Sequence, residues 1–313
     1  MKKTPFIVTP WQEYTKPPTK RRLDMTIGIG AICSWSGNFL LLGVSDRMLT
    51  ARDTTFEPPQ TKVASVTDRI AILVSGPAAA YSTIVQDVMA EVQKQKTTAV
   101  RDVANICAKA FASYRLAESE AVVLAPLGLS LKDYIAQRNA HHYYSLRDEL
   151  RQYDIDTELI VMGIDSLGCH LYLIHHPGIA QCNDDVGFVA IGSGGRHANL
   201  RFMEAKYTNR RPLEEALFLA YAAKRRAEVA PFVGRHTDML VIDTASTPPI
   251  LQLAWGSPLL DQLGAIYETS VGEKKEADSR AFAEFKTLLQ AKIAESKTAS
   301  QASPPPVPSK ESI

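Results

Sequence analysis

The stretch from Met25 to Gly76 constrains the fold most, because four short apolar runs follow one another there with turn signals between them. Ser36-Gly37-Asn38 separates the first two runs and is typical of a tight hairpin turn. Thr67-Asp68-Arg69 separates the last two and predicts a second hairpin. The four strand-like runs cover residues 26–33, 39–44, 62–66 and 70–74.

Four residues mark the ends of these runs. Thr26 opens the first, Asp46 follows the second, Lys62 opens the third and Gly76 follows the fourth. If the two hairpins lie side by side, the three side chains and the glycine backbone meet at one strand end. This juxtaposition is an expectation about geometry, which the spacing alone does not prove.

An ordered set of short motifs resembles the proteasome branch of the N-terminal-nucleophile hydrolases, over roughly residues 25–245. Each motif alone is weak, but their order and spacing together are fairly specific. The matching pieces are TIGIGAI from Thr26, Ser45-Asp46-Arg47, Lys62-Val63 sixteen positions after the aspartate, Ser75-Gly76 fourteen positions after the lysine, Gly192-Ser193-Gly194-Gly195, and 231–234.

The resemblance implies a site that uses a chain-terminal threonine. Thr26 would be the nucleophile, with its own freed amine as the base, because a hydroxyl is a poor nucleophile without one. Lys62 would lower the pKa of that amine by like-charge repulsion, and Asp46 would keep the lysine charged and oriented. The N–H of Gly76 would stabilise the oxyanion, and Ser193 would support the nucleophile. No metal or organic cofactor is implied.

Two departures concern the start of the predicted domain. Residues precede Thr26 in the chain, so either the extension is cut before Thr26 or translation starts at Met25, whose removal would expose the threonine. Thr26 to Asp46 is also four residues longer than the family pattern. Two extra residues on each strand would absorb the difference without changing which face each residue occupies. A different register stays open.

A third departure bears on activity. In the segment where the family has an aspartate and a serine, this chain has Ala230 and Val233. A different supporting network, built from Glu228, Arg235 or Asp238, is one interpretation; an inactive subunit that only builds an assembly is another. The main hypothesis is therefore a bacterial-type threonine peptidase or amidohydrolase, and the alternative is a catalytically inactive structural subunit of proteasome fold.

The order of elements favours an α+β fold. Hairpins, two helices, further hairpins, two helices and final strands predict a four-layer αββα sandwich, with two antiparallel sheets flanked by helices. The second helix is predicted over 97–116 with a Thr97-Thr98 cap, and the fourth over 212–228 with Leu213, Leu217, Ala220 and Tyr221 inward.

The domain boundaries follow from composition and pattern. We expect a mobile extension or propeptide, the main domain, and a C-terminal helical segment with a helix over 275–295 before a disordered tail. A helical insertion, with a helix capped by Ser130, interrupts the main domain; its cluster of His141, His142, Tyr143 and Tyr144 either binds a ligand or belongs to a cover over the core. The ranges are 1–24, 25–256 with the insertion at 117–153, 257–296 and 297–313.

Composition limits the remaining classes. A net charge of +1 predicts neither nucleic-acid nor membrane-surface binding, and no run is apolar enough for a transmembrane helix. Four scattered cysteines without metal-ligand spacing indicate reduced thiols in a cytoplasmic protein. By resemblance, we expect a peptide or protein substrate and a homo-oligomer of one ring or stacked rings; an ATPase partner is an open question.

Overall fold

The structure is a computed structural model that describes residues 26–51, 54–58, 61–136 and 143–301. It divides into two compact units, Met1–Gln252 and Leu253–Ile313, which are described in turn. The first unit holds two five-stranded sheets and a separate two-stranded hairpin.

The first sheet has the strand order β10-β1-β2-β11-β12. β1 pairs antiparallel with both β10 and β2, and β2 pairs antiparallel with β11. Its first hairpin is the predicted one, since pairing runs without interruption from Gly28 opposite Ser45 to Trp35 opposite Asn38. The strands are β1 (Gly28–Trp35), β2 (Asn38–Asp46), β10 (Phe188–Ile191), β11 (Thr237–Ile242) and β12 (Ile250–Leu253).

A two-residue turn closes this hairpin. Ser36 and Gly37 both have positive φ, 50° and 84°, which is the backbone geometry that matches the twist of paired strands. The pairing of this hairpin is regular, and no bulge interrupts the register between Gly28 and Trp35.

The second sheet has the order β5-β6-β7-β8-β9, with every neighbouring pair antiparallel. It contains the second predicted hairpin, β5–β6, and a later one, β7–β8. The strands are β5 (Val63–Ser65), β6 (Ile70–Ser75), β7 (Glu158–Asp165), β8 (Gly168–His175) and β9 (Ile179–Cys182); the small hairpin joins β3 (Leu49–Ala51) to β4 (Thr54–Phe56).

The main core lies between the two sheets. Buried side chains of both sheets form one cluster, in which Leu41 and Leu240 of the first sheet meet Ile160 and Met162 of the second. On the other face of the second sheet, α1 (Ala78–Gln95) and α2 (Val100–Ser119) bury a second apolar cluster. Helices α5 (Gly195–Glu204) and α6 (Leu213–Ala227) pack against strands of the first sheet. This mixed α/β arrangement is compatible with the predicted sandwich.

Helix α2 begins at Val100, so the predicted Thr97-Thr98 cap is wrong. Its N-cap position is Ala99, which makes no side-chain capping bond. Instead, the N–H of Val100 donates to Oδ2 of Asp165, at 2.9 Å. The cap therefore comes from the β7–β8 turn, a tertiary contact that a local pattern does not contain.

The described residues of the segment predicted to be an insertion form helical turns and have a small core of their own. A π-helical turn over Glu120–Leu124 and a 3₁₀ turn over Ala125–Leu127 continue α2, and α3 (Leu131–Ala136) and α4 (Tyr143–Gln152) follow. Leu124, Tyr134 and Leu146 pack together in this core. Ser130 does cap α3, since its hydroxyl accepts the N–H of Asp133 at 3.2 Å. His141 and His142 lie outside the described residues.

Two helices cover the first sheet, α5 (Gly195–Glu204) and α6 (Leu213–Ala227). The inward face predicted for α6 is partly wrong, because Leu213 and Leu217 are only half-buried. The buried face is made mainly of alanines, whose small side chains let the helix backbone approach the sheet: it comprises Ala216, Leu219, Ala220, Tyr221, Ala222, Ala223, Lys224 and Ala227.

The second unit contains one helix, α7 (Pro258–Gln301), which is longer at both ends than the predicted 275–295. Its apolar stripe is exposed: Phe282, Phe285 and Leu288 retain 72%, 63% and 68% of their accessible surface. Residues 302–313 of the predicted tail, and the predicted extension 1–24, lie outside the described residues. In the described part of the chain, no helix is both long and apolar enough to cross a membrane.

Candidate active site

Three of the predicted site residues meet at one end of the two sheets. Thr26 precedes β1, Asp46 ends β2, and Lys62 directly precedes β5. The Lys62 ammonium donates hydrogen bonds to the Thr26 hydroxyl and to Oδ1 of Asp46, the latter at 3.0 Å, and the Thr26 hydroxyl donates to the same carboxylate oxygen. All three residues are buried, at 2%, 0% and 5% exposure.

The carboxylate of Asp46 is the centre of this arrangement. Besides Thr26 and Lys62, the N–H of Ile27 donates to Oδ1 at 3.3 Å. The other oxygen, Oδ2, accepts the N–H of Gly234 at 2.7 Å. A buried carboxylate is tolerated when a cation and hydrogen-bond donors surround it, and both are present here.

Burial sets the electrostatics of the lysine. Removal from water lowers the pKa of the Lys62 ammonium, while the nearby Asp46 carboxylate, and Glu57 at longer range, oppose that effect. A positive charge beside a hydroxyl in a poorly solvated site favours the alkoxide that forms during nucleophilic attack. The Thr26 hydroxyl is therefore in an environment suited to a nucleophile.

A glycine turn encloses the main chain of Thr26. The N–H of Gly194 donates to the Thr26 carbonyl at 3.4 Å. Gly192 has φ of +81°, and a Cβ at that position would stand 2.9 Å from the carbonyl carbon of Thr26. Between them, the hydroxyl of Ser193 is buried and has no hydrogen-bond partner among the described residues. The structure thus places Ser193 next to the threonine backbone.

The predicted oxyanion donor, Gly76, lies close to the same turn. Gly76 follows Ser75 at the end of β6 with φ of +113°. The Ser75 hydroxyl would contact a Cβ at Gly192, at 2.8 Å, so the end of β6 reaches the turn that holds Thr26. A Cβ at Gly76 would itself stand 2.8 Å from Cα of Thr157, which explains why the position requires glycine.

The segment after α6 reaches the site through its backbone. Ala230 and Val233 are both buried, at 7% exposure, and their side chains offer no polar group. Gly234, next in the chain, supplies the N–H that binds Asp46. In this segment the main chain therefore supports the Asp46 carboxylate. The family that the sequence resembles has polar side chains here.

Two of the three residues considered as an alternative network, Glu228 and Asp238, form ion pairs with other side chains, and Arg235 takes part through its backbone carbonyl. Glu228 accepts a hydrogen bond from Lys224 at 2.6 Å, and the carbonyl of Arg235 accepts another at 2.7 Å. Asp238 forms a two-point ion pair with Arg47, with distances of 2.6 and 2.7 Å. These contacts brace the segment that carries Gly234.

Three charged residues near the site were missed by sequence reasoning. Lys224 is completely buried on α6, and burial lowers the pKa of its ammonium while Glu228, and Asp46 more weakly, oppose that shift. Glu57 pairs with Nδ1 of His236 at 2.8 Å. Glu158 accepts the N–H of Gly192 at 2.7 Å. Of the three, only Lys224 has a local signal in the sequence, because it lies on an alanine-rich helix face.

The described residues contain no group of three or more histidines, cysteines, aspartates and glutamates that could hold a metal ion. The site contains a hydroxyl, an ammonium, a carboxylate and backbone N–H groups. These are the groups that acyl transfer by a side-chain nucleophile requires.

The fold and this site together define a mixed α/β protein with a buried threonine–lysine–aspartate cluster. Over 103 residues the chain is 37% identical to a protein named proteasome subunit beta 2 from Thermofilum pendens. The match covers 32% of this chain and 47% of that protein, so the chain spans about half the length of the relative. It suggests a proteasome-like family. No protein-family model matches the chain.

Proposed function

We propose that the chain is a proteasome-like N-terminal threonine hydrolase that cleaves peptide or amide bonds. The observation that carries the proposal is the double contact of the Thr26 hydroxyl with Lys62 and Asp46 in a buried site. The partial match to a proteasome beta subunit supports the same class. Activity requires a free amine at Thr26, produced by cleavage before it or by a start at Met25.

In this proposal the amine of Thr26 takes the hydroxyl proton while Oγ1 attacks the carbonyl carbon of the substrate amide. The amide C–N bond then breaks, the proton passes to the leaving amine, and the substrate acyl group stays on Oγ1 as an ester. Water, deprotonated by the same amine, hydrolyses the ester and restores the hydroxyl. No metal or organic cofactor takes part.

The surrounding groups act on charge that develops in these steps. Lys62 stabilises the developing alkoxide, and Asp46 keeps the lysine oriented, at 3.0 Å. The N–H of Gly76 donates to the oxyanion of the tetrahedral intermediate. Ser193, whose buried hydroxyl has no partner among the described residues, supplies a hydrogen bond to the freed amine.

A second candidate function is supported by a specific observation. Ala230 and Val233 put buried methyl groups where the resembling family has an aspartate and a serine. A subunit that keeps the fold but performs no chemistry would tolerate this change. Either function predicts a homo-oligomer of one ring or stacked rings, and an ATPase that delivers substrate is compatible with both. The four free thiols fit a cytoplasmic protein.

The test begins with the intact mass of the purified protein, which identifies its first residue. An electrophilic peptide probe is then offered to the wild type, to Thr26→Ser, to Thr26→Ala and to Thr269→Ala, an exposed control on α7. We expect a chain that begins at Thr26, labelling and peptide hydrolysis in the wild type, reduced rates in the serine variant, loss in the alanine variant and no change in the control.

Two outcomes would overturn the enzymatic proposal. One is a chain that stays intact through Met1 and has the same hydrolytic activity in Thr26→Ala as in the wild type. The other is a folded oligomer, sized by analytical ultracentrifugation, that neither hydrolyses peptides nor takes the probe; this outcome would favour the structural subunit.

A further inference from the structure

The backbone of Thr26 faces the glycine turn at residues 192–194. Successive residues of an extended chain direct their N–H and C=O groups to opposite sides. Ile27 points toward β2, because its carbonyl accepts the N–H of Asp46 at 3.3 Å. Thr26 therefore points the other way, and its carbonyl accepts the N–H of Gly194. An amine at Thr26 lies on this side as well.

A carboxylate is held on that side of the threonine. Oε2 of Glu158 accepts the N–H of Gly192, at 2.7 Å. Gly192 in turn lies against the Thr26 carbonyl, closely enough to exclude a Cβ. Glu158 is the first residue of β7 and pairs with Ser75, the residue before Gly76. The second sheet thus delivers a negative charge to the turn that surrounds the threonine backbone.

We propose that Glu158 is a positioning residue that holds the freed amine of Thr26 as its counter-ion. This inference rests on the proposed function, because it requires that amine to exist. It explains what could orient the Thr26 ammonium in this chain, because the side chains of Ala230 and Val233 cannot. Glu158 supplies the carboxylate from a different strand, and the adjacent Ser193 hydroxyl completes the set of acceptors.

The charges around the Thr26 amine determine whether its pKa is raised or lowered. Lys62 lies on the hydroxyl side of Thr26 and disfavours a second positive charge, while Asp46 on β2 favours one. Lys224 on α6 and Glu57 in the loop after β4 act at longer range. Glu158 favours the ammonium, so its carboxylate raises the pKa of the amine. Removing that charge makes the amine a free base at lower pH.

The experiment compares Glu158→Gln with the wild type. Glutamine keeps an acceptor for the Gly192 N–H but carries no charge, so a merely structural role survives the change. The rate of Thr26 labelling by the electrophilic probe is measured from pH 5 to 9. We expect the acid limb of the profile to move down by about one pH unit, the lower end of the effect of a close opposite charge. Glu158→Asp, which keeps the charge, should show an acid limb close to that of the wild type.

A second readout does not depend on catalysis. The Thr26 amine is carbamylated with cyanate across the same pH range, and the modified fraction is followed by intact mass. The apparent pKa of the amine should be lower in Glu158→Gln than in the wild type and unchanged in Glu91→Gln, a glutamate on α1 whose side chain is 38% exposed. Thermal unfolding of each variant checks that it is folded.

The outcomes separate the two proposals. If Thr26 reacts with the probe in both proteins and both profiles have the same acid limb, the role of Glu158 is refuted and the threonine hydrolase stands. If the chain never exposes a Thr26 amine, the mass shows it directly and both proposals fall. If Glu158→Gln unfolds, the pair Glu158→Asp and Glu158→Asn decides, because a counter-ion role predicts a lower acid limb in the neutral asparagine variant only, and equal profiles would refute the role.

Discussion

The ammonium nitrogen of Lys62 lies 3.0 Å from Oδ1 of Asp46, and the two side chains are only 4% and 0% exposed. Asp46 ends a strand of the first sheet and Lys62 leads into a strand of the second. The ion pair therefore joins the two sheets at the end where Thr26 lies. A buried charge is stable only with its partner, since each ion alone loses several kcal/mol of hydration free energy.

This pairing predicts strong coupling between the two positions. Asp46→Asn and Lys62→Met should each lower the free energy of unfolding by about 3–5 kcal/mol, because each leaves the other charge buried and alone. The double variant should lose clearly less than the sum. Denaturant unfolding of the four proteins measures the coupling. The exposed pair Arg147–Asp148 serves as a control and should couple by less than about 1 kcal/mol. Additive losses at Asp46 and Lys62 would contradict the interpretation.

Gly192→Ala should disable the site and destabilise the protein. The added methyl group would collide with the carbonyl of Thr26, and φ of +81° strains any residue with a Cβ. Gly37→Ala is the matched control, because its φ is +84° and its Cβ would meet nothing within 4 Å.

We expect Gly37→Ala to lose about 1 kcal/mol of unfolding free energy and to keep the wild-type labelling rate. Gly192→Ala should lose more unfolding free energy, and its labelling rate should fall. Thermal unfolding and the labelling rate at Thr26 are the measurements, and equal effects of the two substitutions would show that Gly192 is not in contact with the site.

The burial of Lys224 should make the stability of the protein depend on pH. Burial, the largest cause, lowers the pKa of its ammonium in the folded protein below the ordinary value of 10.5. Between the two values the unfolded chain binds more protons at this residue, so the free energy of unfolding rises with pH in that window. Lys224→Met lacks this contribution. The free energy of unfolding of the wild type, relative to that of the variant, should therefore increase as the pH rises toward 10.5.

Lys94→Met removes an exposed lysine, 75% accessible, and serves as the control. An equal increase in the comparison with Lys94→Met would show that the effect does not come from the burial of Lys224. The Lys224 side chain also bonds the carbonyl of Arg235, so Lys224→Met should slow labelling of Thr26 by loosening the segment that carries Gly234. A flat difference for Lys224→Met would mean that its ammonium is not titrating in the window.

Asp165→Asn tests the tertiary cap of α2. The asparagine keeps an acceptor for the Val100 N–H but loses the charge that favours a helix N-terminus. Burial, the largest cause, disfavours the Asp165 carboxylate, but the N–H groups of Val100 and Leu167 and the nearby His170 together outweigh it and lower the pKa below the ordinary 3.8. The stability that this shift contributes is present above 3.8 and is lost as pH falls through the lowered value.

At pH 7 we expect a loss of about 1 kcal/mol for Asp165→Asn, measured by denaturant unfolding. Thr97→Ala, at the cap position wrongly predicted from the sequence, should change the unfolding free energy by less than about 0.5 kcal/mol. A larger loss in Thr97→Ala than in Asp165→Asn would reverse the assignment of the cap.

Local patterns were sufficient for the elements that their own residues determine. Turn residues and apolar runs identified both N-terminal hairpins, and antiparallel pairing in the first hairpin brings Thr26 and Asp46 to one strand end. Their contact with Lys62, which leads into the second sheet, depends on how the two sheets pack. The catalytic role of these three residues, and of Gly76 and Ser193, remains a prediction.

Only the tertiary structure decided how the site end of the two sheets is supported. Gly234 lies 188 positions from Asp46, and Asp165 lies 65 positions from the helix it caps. Burial of Lys224 and the contact of Glu158 with Gly192 likewise depend on how helices and sheets pack. A sequence pattern records the conformational preferences of neighbours along the chain, whereas these contacts depend on the distance and orientation between layers, which packing of the whole core sets.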